Sequence, residues 1–127
     1  MDATTALTKL TARANGAFAK AESARKALTD ALTIPGSPVD GLMDAVLAAD
    51  GQAKPWRELM VRIERHGVRD GLDRQRAEAL EALLHYGFSM STGQVTNAAR
   101  HHEDMGLRRF INVTDGMDIE AGAPATA

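Results

Sequence analysis

The sequence predicts a mainly α fold of about five helices in one domain, with a small β-hairpin or wing near residues 107–116. Three observations point there. Apolar residues recur at helical spacing from Leu7 to Ala31. Glycine and proline then divide the middle of the chain into short amphipathic runs. One late run, Leu107 to Val113, switches to β-forming residues. Residues 1–116 read as the helical domain and 117–127 as a flexible tail.

The first helix spans residues 3–33. Leu7, Leu10, Ala14, Ala17, Ala21, Ala24, Leu28 and Ala31 form a heptad-like seam. Alanine is the best helix former, which carries the segment through Asn15 and Gly16. Small seam residues allow a second helix to approach closely, so this element is expected either to pack on its own domain or to join two copies in a homodimer. Pro35-Gly36-Ser37-Pro38 ends it, and Ser37 is placed to cap a second helix with Pro38 at its first position. That short helix turns Leu42, Met43, Val46 and Leu47 inward and closes at Asp50-Gly51. Pro55 opens a third helix to His66, with Trp56, Leu59, Met60 and Ile63 as its stripe and Gly67 as its stop. Its other face carries Arg62, Arg65 and, beyond the helix, Arg69. These and Arg57 lie near Glu58, Glu64 and Asp70, with Glu58 and Arg62 at i,i+4 spacing. Asp70-Gly71 reads as a turn, and Asp73 as the cap of a fourth helix with Ala77, Leu80, Leu83 and Leu84 inside, ended by Gly87. A fifth helix starts at Ser91 or Thr92, turns Val95, Ala98, His102 and Met105 inward and stops at Gly106.

Composition narrows the function classes. The chain has 127 residues, 25% of them charged, and a net charge of −2. A balance so near neutrality creates no global field toward nucleic acid or an anionic membrane. With no cysteine, disulfide scaffolds, thiolate metal sites and thiol nucleophiles are excluded. No stretch approaches the ~20 apolar residues of a spanning helix. Met1 to Thr5 has no basic segment followed by an apolar one, so a cytoplasmic protein without a membrane partner is expected. Alanine-rich usage with arginine favoured over lysine suggests a bacterial or phage gene.

The order from residue 73 onward carries the strongest functional pattern. A helix over 73–86 is followed by Gly87-Phe88, a polar-faced helix over 91–105, Gly106-Leu107 and the basic strand 108–113. This order resembles the recognition-helix and wing half of winged helix-turn-helix proteins, across roughly residues 73–116. The resemblance implies double-stranded DNA as partner, with the polar helix as reading head. The residue types suit that role. Gln94, Asn97, Arg100 and His101 fall on the face away from Val95 and Met105, where amide and guanidinium groups meet base edges. Thr92 and Thr96 near the helix start, with Arg108 and Arg109 beyond it, suit phosphate. Glu103 and Asp104 on the same helix dilute the positive charge.

Other chemistry is sparse. His101 and His102 are adjacent and point about 100° apart on a helix, so they cannot share one ion. His102, on the apolar face, reads as a hydrogen-bonded core residue, and no metal or cofactor is expected. The sequence has no glycine-rich phosphate loop, no GxSxG turn and no HExxH, so no enzymatic role is expected. Two readings remain. One is a small DNA-binding or transcription-modulating protein. The other is a helical structural or adaptor protein, such as a phage assembly component or an inhibitor that binds a protein partner.

Overall fold

The protein, in a computed structural model, is described over residues 1–91 and 98–120, with the backbone alone for 86–91, 98 and 99. Among the described residues four helices follow in order: α1 (Ala3–Leu32), α2 (Asp40–His66), α3 (Val68–Ser91) and α4 (Ala98–Thr114). Long α2 is central and packs against the other three. The first helix appears as expected. Asp2 caps it, its carboxylate accepting from the Thr5 amide at 2.7 Å. Its seam closes on its own domain: Leu10, Ala14 and Ala21 are buried, together with Ala6 rather than Leu7.

The expected division of α2 is wrong. The helix runs unbroken through Asp50-Gly51 and through Pro55, and it starts at Asp40 rather than at a Ser37 cap. The reason lies on α4. Pro55 has no N–H, so the Gly51 carbonyl lacks the donor that a helix interior normally supplies. Gly106 fills that place. An ideal Cβ on Gly106 would sit 2.2 Å from Gly51 O, so the Cα–H standing there points at this carbonyl. A Cβ on Gly51 would likewise meet the His102 carbonyl at 2.7 Å. The two glycines read as helix stops are the contact through which α2 and α4 cross.

Residues 107–113 are also a correction: they are helix, and the described residues contain no strand and so no wing. Phe110 explains the difference. It is fully buried and meets Trp56 edge-to-face, with ring centroids 5.0 Å apart. Leu107, Ile111 and Val113 pack around the same core. Helical spacing turns these apolar residues toward one cluster, and that gain outweighs their weak β preference. Arg76 of α3 then closes the helix, donating to the Ile111 carbonyl at 3.1 Å and to the Thr114 hydroxyl.

Gly67, with φ +86°, separates α2 from α3 as expected. Asp70-Gly71 lies inside α3, where Gly71 rests against the backbone at Ile63, and α3 continues past Gly87. The inner face of α3 is Leu72, Gln75 and Ala79, leaving Leu80 and Leu84 outward. Where the sequence suggests a tail from residue 117, Ile119 is buried and the Glu120 amide donates to the Met1 carbonyl at 2.8 Å.

Candidate interaction surface

The residues expected to read DNA divide into two groups. Thr92, Gln94, Thr96 and Asn97 lie outside the described residues. Arg100, His101, Arg108 and Arg109 are all exposed on α4. Arg108 donates to the buried Asp104 carboxylate at 2.9 Å, and Arg109 to the Gln52 side chain at 3.1 Å. The expected inner face of this helix is rotated. Met105 is 50% exposed, whereas Asp104, Gly106, Phe110 and Thr114 turn inward. Fitting Phe110 against Trp56 fixes that rotation, which the polar first turn did not announce.

His102 sits half-buried, 3.0 Å from the Asp44 carboxylate on α2, and its ring meets His101 edge-on. Among the described residues no group of three potential ligands is placed to hold a metal ion. Two of the three arginines of α2 reach acidic side chains. Arg62 reaches Glu78 on α3 rather than its expected partner Glu58, which instead accepts from Gln75 at 3.0 Å. Arg57 lies 4.0 Å from Asp50. A cavity of about 110 Å³ between α2, α3 and α4 is lined by Lys54, Glu58, Gln75 and Glu103. Among the described residues Gln75 Oε1 has no hydrogen-bond partner, and it is wholly covered by protein atoms.

The conspicuous surface is elsewhere. Every residue from 22 to 50 is described, and none of them is buried. This stretch holds the last third of α1, the connecting turn and the first third of α2. An ion pair between Arg25 and Asp50 sets the two helices level. At 1.5 Å per residue in opposite directions, Leu28 then falls near the height of Leu47 and Leu32 near Met43. Leu32 is 65% exposed, Ile34 60%, Met43 52% and Leu47 40%. These side chains make the end of the α1–α2 arm apolar, with Leu28, Leu42 and Val46 half-covered beneath.

Beyond Arg25 and Lys26, the charge on this arm has one sign. Between Lys26 and Lys54 there is no lysine, arginine or histidine, while Asp30, Asp40, Asp44 and Asp50 all fall there. Lys26 pairs with Asp30 one turn away at 2.9 Å, in the exposed geometry that contributes little. Sequence reading places Leu42, Met43, Val46 and Leu47 on an inner face and so misses this surface. The signal available was the unbroken acidic run, which marks a solvent-facing element. The chain matches no family model, no curated protein and no solved structure at significance.

Proposed function

We propose that the protein is a non-enzymatic helical adaptor whose α1–α2 arm docks a protein partner. One observation carries this reading: the 29-residue stretch 22–50 holds four leucines, two valines, one isoleucine and one methionine yet buries none of them. Covering a large aliphatic side chain stabilises by roughly 1.5–3 kcal/mol, and folding leaves much of that gain unrealised here. Contiguous exposed apolar side chains rimmed by charge are how soluble proteins present a binding site. The test is a photo-reactive residue placed at position 34 or 43, with position 20 on the exposed face of α1 as control, in cells that make the protein. A defined adduct from 34 and 43, absent from 20, supports the arm as the interface. No adduct from either arm position overturns it.

A second reading, contact with double-stranded DNA, is favoured by the outward placement of Arg100, His101, Arg108 and Arg109 on α4. A mobility-shift assay at about 50 mM salt decides it. Binding that weakens with salt and is lost in Arg100→Ala and Arg108→Ala would make α4 the functional face.

A further inference from the structure

The arm's composition specifies its partner more closely. This inference rests on the adaptor reading and names the chemistry of what docks. We infer that the end of the arm receives a basic amphipathic helix from another protein, with leucine-like side chains on one face and lysine or arginine beside them. Two observations combine. The apolar residues Leu32, Ile34, Met43 and Leu47 form a short surface where two helices meet, the size of surface that takes side chains at i, i+3, i+4 and i+7 of an incoming helix. Around them stand Asp30, Asp40 and Asp44, and all fifteen lysines and arginines of the chain lie outside residues 27–53. Asp30 is paired with Lys26 and Asp44 with His102, while among the described residues no basic side chain pairs with Asp40 in the first turn of α2.

Complementarity selects among occupants. A second copy meeting this surface through a two-fold axis would set like aspartates against each other, at a cost in affinity. An anionic membrane would be repelled for the same reason. A cationic helix gains both the apolar contact and the charge pairing, and the field of the aspartates speeds its encounter.

The experiment uses the full chain labelled at its methionine, leucine and isoleucine methyl groups and two helical peptides. The peptides share one leucine face; one carries lysines on its flanks and the other glutamates. The expected result is that the lysine peptide shifts the methyls of Ile34, Met43 and Leu47 and binds at least tenfold more tightly than the glutamate peptide. Asp40→Asn and Asp44→Asn should each weaken it by about two- to fivefold, the range of exposed charge pairs. Raising salt should shrink the difference between the peptides. Ile34→Asp and Met43→Asp, both at exposed positions, should abolish binding while leaving the melting curve unchanged. Equal binding of the two peptides overturns the charge rule but leaves the arm as a docking surface. Methyl shifts confined to other helices overturn both. A concentration-dependent dimer that Met43→Asp dissolves makes the occupant a second copy and overturns the inference.

Discussion

At the scale of single residues, the decisive positions are glycines and one proline. Gly106 and Gly51 carry no side chain at the α2–α4 crossing because backbone occupies the space. Gly106→Ala should destabilise the protein by about 1–3 kcal/mol, since its Cβ would enter the Gly51 carbonyl. Gly16→Ala is the internal control. Its Cβ meets nothing within 4 Å in the middle of α1, so it should stabilise by about 0.5–1 kcal/mol. Urea unfolding of both variants checks the pair, and equal effects would refute the crossing. Asp2 gives a pH signature. The Thr5 amide donating to its carboxylate lowers its pKa below the ordinary 3.8. A lowered folded value means the cap stabilises fully above the ordinary pKa and fades as pH falls through the folded one. The Tm difference between the wild type and Asp2→Asn should therefore change only below pH 3.8, and a difference that changes near neutrality would rule this out.

At the scale of elements, the arm and the α2–α4 crossing are opposites. The crossing brings backbone against backbone and places Trp56 on Phe110, while the arm has no buried residue along 22–50. Opening free energy follows buried contacts, so the two ends of α2 should differ. Native-state hydrogen exchange should show amides of residues 42–48 exchanging through local opening, well before those of 56–62 in the same helix. Uniform protection along α2 would show that the arm is no weaker than the core. Helix α4 carries the lesson about reading patterns. Its run from Leu107 to Val113 is β-prone residue by residue, and helical once Phe110, Ile111 and Leu107 are allowed a common cluster.

At the scale of the whole molecule, charge and apolar surface divide the same way. The body around α2, α3 and α4 holds ion pairs such as Arg62–Glu78 and Lys54–Glu103, while the end of the arm beyond Lys26 holds only acids beside exposed aliphatics. On the adaptor reading, a molecule so divided should associate through the arm in a salt-dependent way, and the lysine and glutamate peptides measure that directly. No helix among the described residues is long and apolar enough to cross a membrane.

The mainly helical fold, the first helix with its inward seam and the break at Gly67 were legible from residue order, because alanine content, apolar period and a left-handed glycine act locally. The acidic run over the arm was legible too, as simple arithmetic. The joining of two expected helices through Asp50-Gly51 and Pro55 was not, nor was the loss of the wing. Those outcomes belong to tertiary contact. Gly51 and Gly106 have meaning only when the two backbones meet, and Phe110 becomes helical only when Trp56 is there to receive it. A local propensity is worth a few tenths of a kcal/mol per residue, whereas burying an aromatic side chain is worth several, so where they conflict the packing decides.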